Sequence, residues 1–290
     1  MRERSQRFDS RQNMHRQHFE VFHYRDPKPD GVEVHHHDFY EVYFLLGGDV
    51  SYWVEGQIYH LEPGDMLLIN PMVLHRPVVA ADSTLYERIV LWIDKNYLEH
   101  FAEEGVCLTH CFDSNVSFIN LLRPSSPMHK TELMAMLGEL VRESYGNDYG
   151  STLYAEGVFL KFMVELNRMS MHSSRKPEEE KDSSSLVSRV LTYIGEHYSE
   201  DLSLENLAQQ FFVSKYHLSH EFSRTVGTGV YRYIMLKRLT VAKQFLSEGL
   251  PPGEVCTRCG FKDYTNFFRA FKAEYGISPR AFTSTDNNLS

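Results

Sequence analysis

No stretch of this chain is apolar over anything near the roughly 20 residues a membrane-spanning helix needs, and no membrane partner is expected. Residues 1–17 are polar and arginine-rich without an apolar core, so no secretory signal is read there. Cysteine is sparse: Cys107, Cys111, Cys256 and Cys259 are too few to staple 290 residues, and a reducing cytoplasm is the expected location. Neither a glycine-rich phosphate loop nor a Ser-His-Asp arrangement can be read, so no enzymatic activity is expected. Positive charge is short too, with a net charge of −9. That deficit is uneven: residues 186–290 hold 12 Lys+Arg against 10 Asp+Glu, so the acidity belongs to the N-terminal part. The weak excess of cations is poor evidence for nucleic acid by itself, because contact depends on where the cations lie.

What the chain does have is a repeat. Leu218, Phe222 and Gly227 recur as Phe267, Phe271 and Gly276 at an offset of 49, while Ala208 and Val213 recur as Cys256 and Phe261 at an offset of 48. The one-residue change falls in a turn, where insertions are tolerated best. Each copy reads as helix, tight turn, helix. Ser203 opens the first copy, Ser214 and Asp263 stand at the N-caps of the second helices, and a long helix from about Val230 to Ser247 joins the copies.

Ahead of the repeat the pattern differs. Glu41–Leu46, Val50–Val54 and Met66–Ile69 are short aromatic and β-branched runs, separated by Gly47-Gly48, Glu55-Gly56 and Pro63-Gly64-Asp65. Such spacing predicts an antiparallel barrel or sandwich. From about Asp94 helical spacing takes over, with Leu133, Met136, Leu137, Leu140 and Val141 on one helix and Leu153, Val158, Phe159, Phe162, Met163 and Leu166 on the next. The predicted organisation is a flexible arm over 1–18, a β-barrel with a helical hairpin over 19–171, a polar linker over 172–185 and an all-α domain over 186–290. The fold class is α+β.

In each repeat the second helix buries two anchors and leaves its other face free for DNA. That face carries Tyr216, Ser219 and His220 in copy one, and Thr265, Asn266 and Arg269 in copy two, as the expected base contacts. Arg269 suits guanine, Asn266 adenine and Thr265 a thymine methyl. Lys215, Arg224, Lys262 and Lys272 are the main phosphate candidates, with Arg232 and Arg238 beside them. The alternative is a helical protein-interaction domain with the same packing. Residues 186–282, above all Cys259 through Arg269 with Phe271, Lys272 and Gly276-Ile277-Ser278-Pro279, resemble the AraC/XylS family of bacterial transcription regulators. The resemblance implies two helix-turn-helix units, double-stranded DNA as partner, a homodimer and RNA polymerase as a further partner. One departure is Val255-Cys256, where the family usually has Ile-Ala, a change conservative in volume.

The N-terminal part carries His35-x-His37-x3-Glu41, then Gly56, Pro63-Gly64-Asp65, Pro71 and His75. These resemble the two motifs of a cupin barrel, in which the metal ligands would be His35, His37, Glu41 and His75. Strand alternation would put His35 and His37 on one face and His36 toward solvent. Three readings are open: a metalloenzyme with an accessory nucleic-acid domain, a metal site for sensing or structure, and a metal-free barrel that binds a small polar effector such as a sugar. The last is the reading taken, with no cofactor and with His37, Glu41, His75 and Arg88 as polar groups beside Tyr43 and Trp53 as aromatic faces. Cys256-x2-Cys259 falls where the repeat needs small or apolar residues, so packing is expected there, and Cys107 and Cys111 are expected in the core of a helix. The segment Leu153–Leu166 is the dimerisation candidate.

Overall fold

The computed structural model describes residues 12–26, 32–80, 85–103, 106–112, 119–172 and 185–286. The chain divides into two compact units, Met1–Glu180 and Lys181–Ser290. The linker expected over 172–185 lies outside the described residues except at its two ends. So does the arm as far as residue 11; within its remainder Arg16 donates to the Ser144 carbonyl and His18 stacks on Tyr97.

Among the described residues the first unit has eight strands: β1 (Phe19–Asp26), β2 (Tyr40–Gly47), β3 (Val50–Val54), β4 (Gln57–Leu61), β5 (Met66–Ile69), β6 (His75–Val79), β7 (Tyr86–Ile93) and β8 (Ile119–Leu122). They form two antiparallel sheets, ordered β1-β7-β2-β5-β8 and β4-β3-β6. Two helices, α2 (Pro127–Ser144) and α3 (Ser151–His172), follow the shorter α1 (Lys95–Glu103). Alternation along β2 splits the interior in two. Val42 and Phe44 face the helices, packing with Leu137, Leu140, Phe159 and Phe162, whereas Tyr43 and Leu45 face the second sheet with Tyr52, Val54 and Tyr59. Leu153 is a correction to the helical pattern: it is 74% exposed, because the buried stripe of α3 runs Ala155, Val158, Phe159, Phe162, Met163, Leu166, and position 153 falls off that face. Cys107 is exposed outside any helix, and Cys111 is buried in a one-turn 3-10 helix, so the expected cysteine-bearing helix does not form.

Among its described residues the second unit has only helices: α4 (Leu186–His197), α5 (Leu204–Gln210), α6 (Lys215–Val226), α7 (Val230–Ser247), α8 (Pro252–Arg258), α9 (Tyr264–Tyr275) and α10 (Pro279–Asp286). The caps act locally. Ser203, Ser214 and Asp263 each accept from a backbone N–H three residues on, an arrangement contributing about 1 kcal/mol per helix. Gly227 and Gly276 close α6 and α9 in the left-handed conformation. Phe267 and Phe271 of α9 pack on Leu239, Ala242 and Leu246 of α7 together with Cys256 and Cys259. The two cysteines are therefore packing residues, and burial pushes the Cys259 thiol up to about 12.

Candidate functional site

The two second helices of the repeat, α6 and α9, each turn an apolar face inward and a polar face to solvent. In copy one Leu218 and Phe222 are fully buried, while Tyr216 and His220 are exposed and Ser219 is half-buried. These three, with Ser223 and Arg224, line one open depression on the surface. In copy two Phe267 and Phe271 are buried and Thr265, Asn266 and Arg269 are exposed. The six expected base contacts thus lie on the outward faces of α6 and α9, three on each. Asn266 is tied to the cap: its backbone N–H and its side-chain amide both donate to Asp263.

The cations differ in how committed they are. Lys215 pairs with Glu205 at 3.2 Å, Arg224 with Glu221 at 2.6 Å and Lys262 with Asp201 at 3.2 Å, all at exposed positions where exchange for a phosphate costs little. Lys272 is exposed in the last turn of α9. Arg238 is different, since it donates to the Tyr198 and Glu200 carbonyls and holds α7 to the end of α4. Arg232 pairs with Glu274 at 2.9 Å.

Inside the first unit a second polar cluster sits between the sheets. Glu41 lies on the inter-sheet face of β2, paired with Trp92 of β7, whose indole N–H donates to its carboxylate at 3.0 Å. His37 Nε2 stands 3.2 Å from the same oxygen, and the Tyr52 hydroxyl donates to the other at 3.5 Å. Ligand atoms of His37, Glu41 and His75 all lie within 4.8 Å of one another, and all three side chains are buried. Burial alone would raise the Glu41 carboxyl, but the hydrogen bond and charge of His37, with His35 and Trp92, outweigh it and hold it below its ordinary value. Burial pushes His75 well below its ordinary value and brings His35 to about 4, so both imidazoles are neutral at neutral pH.

From that cluster a chain of rings continues. Tyr52 lies against His75, with ring centroids 6.1 Å apart, and against Tyr43 at 4.8 Å; Tyr43 and Tyr86 join through their hydroxyls at 2.9 Å. The Arg88 guanidinium stacks 4.0 Å above Tyr86 and pairs with Asp26 at 2.9 Å. Burial raises all three phenols, Tyr86 to about 12, keeping them protonated as donors. Five of the six expected effector residues are therefore linked. Trp53 is not among them: on β3, Tyr52 and Val54 face the inter-sheet space, and alternation sends the buried Trp53 to the opposite face.

Two expectations about the histidines are corrected. Residues 32–39 form no strand beyond a single bridge between His35 and His75, so alternation does not apply, and His36 is only 7% exposed. Of the four histidine and glutamate positions, three converge; His35 packs on the His75 ring at 4.4 Å and gives its Nδ1 to the Glu33 carbonyl. Tyr52, Tyr86 and Trp92 were not among the expected residues. The inward alternation of β3 would have pointed to Tyr52, but Trp92 is brought in only by the pairing of β2 with β7.

A model of the AraC-like ligand binding domain matches residues 18–163, and a model of a helix-turn-helix domain matches residues 207–285. The chain belongs to the AraC family of transcription regulators. It is similar to the uncharacterized HTH-type transcriptional regulator YbfI of Bacillus subtilis (strain 168), at 28% identity over 80% of both chains. It is also similar to the HTH-type transcriptional activator RhaS of Escherichia coli O81 (strain ED1a), at 24% identity over 88% of both. Among solved structures, unsaturated fatty acid bound ToxT from Vibrio cholerae strain SCE256 is similar at 13% identity and a TM-score of 0.42, covering 94% of this chain and 97% of that one. As an AraC-family member the protein is a DNA-binding transcription regulator with a ligand-binding domain, not an enzyme. No described helix is long and apolar enough to cross a membrane.

Proposed function

We propose that this regulator reads paired DNA half-sites as a cytoplasmic homodimer and activates transcription when a small polar effector, a sugar or related metabolite, occupies the space between its sheets. The observation that carries the DNA part is the matched outward faces of α6 and α9 over buried anchors. Tyr216, Ser219, His220, Thr265, Asn266 and Arg269 contact bases, and Lys215, Arg224, Lys262 and Lys272 neutralise phosphates. For the effector, the protonated hydroxyls of Tyr43, Tyr52 and Tyr86 supply donors and the ring chain supplies an apolar wall, a combination suited to a sugar face. Arg88 is already neutralised by Asp26, which favours an uncharged ligand over an anion. Exposed Leu153 and Tyr154 on α3 support a dimer through that helix, and activation rests on the likeness to RhaS. Effector binding would alter how the two DNA-binding units are presented, and RNA polymerase would be the partner downstream.

The test is selection of a duplex from a random library, followed by titration of wild type and Arg269→Ala. The variant is expected to lose about 1–3 kcal/mol of binding and relax its preference at one base pair. Equal affinity of wild type for selected and random duplex would sink the reading. A thermal-shift screen over sugars tests the effector half: no shift with any of them counts against the sugar.

A further inference from the structure

The turns inside the two helix-turn-helix copies are built alike but filled differently. In copy two the Gly260 N–H donates to the Thr257 carbonyl at 3.0 Å and the Phe261 N–H to the Cys256 carbonyl at 3.1 Å, with Gly260 left-handed between them. In copy one the Phe212 N–H donates to the Gln209 carbonyl at 3.2 Å and the Val213 N–H to the Ala208 carbonyl at 2.9 Å, the same pair of bonds. This way of ending a helix calls for positive φ, which glycine adopts freely and a residue with a Cβ adopts only under strain. Phe212 holds φ at +55 and leaves its side chain 95% exposed, so the ring adds nothing to the packing of the unit. Its neighbour Phe211 is used in packing: that ring meets Tyr193 edge-on, with centroids 5.7 Å apart, and the Arg189 guanidinium lies over it. A strained and bare ring is an outlier that points to a role outside the chain.

The place of the ring says what covers it. Phe212 stands two residues ahead of Ser214, the N-cap of α6, and the N-terminal end of such a second helix is the part that enters the major groove. Lys215 and the exposed Tyr216 open the helix just beyond. The Tyr216 ring lies nearly parallel to that of His220, one turn on, with centroids 6.2 Å apart. Polar groups of this face are engaged with one another, since His220 and Arg224 both lie against Glu221. Copy one thus offers aromatic rings where copy two offers Thr265, Asn266 and Arg269. A hydrocarbon ring gains nothing from a phosphate, and the apolar group that the major groove presents is the thymine methyl. We infer that Phe212 is a specificity-determining residue, and that with Tyr216 it packs on thymine methyl groups in the part of the DNA site that α6 reads. Lys215 holds the neighbouring phosphate and keeps the turn against the groove. The inference rests on α6 contacting bases; it adds Phe212 to that contact and gives copy one a methyl readout beside its few hydrogen bonds.

The duplex selected from a random library is remade with each thymine in turn replaced by deoxyuridine, which removes the methyl and nothing else, and the full chain is titrated against each. Wild type should lose about threefold to fivefold in affinity at one or more thymines, the effect of leaving one methyl uncovered. Phe212→Asn, which suits the left-handed turn, should bind the unmodified duplex more weakly to a similar extent and ignore deoxyuridine at one of those positions. Phe212→Leu keeps an apolar side chain and should keep part of the sensitivity. Arg269→Ala should bind more weakly throughout yet respond to deoxyuridine as wild type does. A wild type indifferent to every replacement would overturn the inference, and so would a wild-type pattern in Phe212→Asn. Unchanged DNA binding by Phe212→Asn with less transcription would overturn it as well, because the ring would then meet a protein. Equal affinity of wild type for selected and random duplex is a different failure, that of base reading by the whole unit, and would remove this inference with it.

Discussion

The two units use polar residues in opposite ways. The first buries Glu41, His37 and His75 together, with His35 and His36 also buried, while the second packs Phe222, Phe267 and Phe271 among apolar neighbours and keeps most of its polar groups outside. A buried polar cluster is costly unless its members are satisfied, so the first unit depends on the hydrogen bonds that link them. An exposed polar face costs little and leaves its hydrogen-bonding groups available to DNA. The same contrast recurs on a smaller scale between the two helix-turn-helix copies. At the turn, copy two has Gly260 at φ +76, and a Cβ there would stand 2.4 Å from the Ser199 carbonyl oxygen. Copy one has Phe212 at φ +55, 95% exposed. Both turns need the left-handed region; only in copy two does neighbouring backbone also close off the side-chain position.

The sharpest break of that comparison is Gly260→Val. It adds a backbone clash to left-handed strain and should cost about 3–4 kcal/mol in the second unit. Urea unfolding followed by far-ultraviolet circular dichroism would report it. Both tryptophans, Trp53 and Trp92, lie in the first unit, so the fluorescence midpoint should stay put.

Acid should break the comparison between units. His35 has its pKa lowered by burial from 6.5 to about 4, so the unfolded chain binds the extra proton first. Stability from His35 is complete above about pH 6.5 and is lost as pH falls toward 4, a loss of about 3 kcal/mol; depression of Glu41 acts in the same direction. Tryptophan fluorescence in urea at pH 7 and pH 4.5 should show the loss, with the second unit shifting less.

On the outward faces, Arg269→Ala should cost more binding energy than His220→Ala, about 1–3 kcal/mol against less than about 1, because only the guanidinium offers a bidentate donor pair. Competition titrations of the two variants on one selected duplex would decide it, and equal losses would mean the copies read equally. The smallest effect is expected for Phe212→Gly, which relieves left-handed strain and should stabilise the second unit by about 1 kcal/mol. If the stability gain comes with weaker DNA binding, the exposed ring of Phe212 is part of the contact surface together with Tyr216, which is 82% exposed.

Much of the helical unit was legible in advance because its signals are short-range. The caps Ser203, Ser214 and Asp263 act on N–H groups three residues away, and the anchor spacing of Leu218 with Phe222 is one turn. Strand runs were legible for the same reason, through alternation. Legibility failed where a residue's surroundings come from far along the chain. His36 was expected at the surface on the strength of a strand that does not form, and Trp53 was expected in the site although its strand turns it away.

The sequence by itself determined the helix-turn-helix repeat, its caps, its outward face and the strand-then-helix order, since these follow from side chains acting within a few residues. Tertiary structure alone decided that Glu41 meets Trp92, 51 positions away, that His37 Nε2 stands against the same carboxylate, and that His75 comes within 4.8 Å of both. Register between strands is a long-range choice, set by which faces can be buried together, and no local pattern carries it.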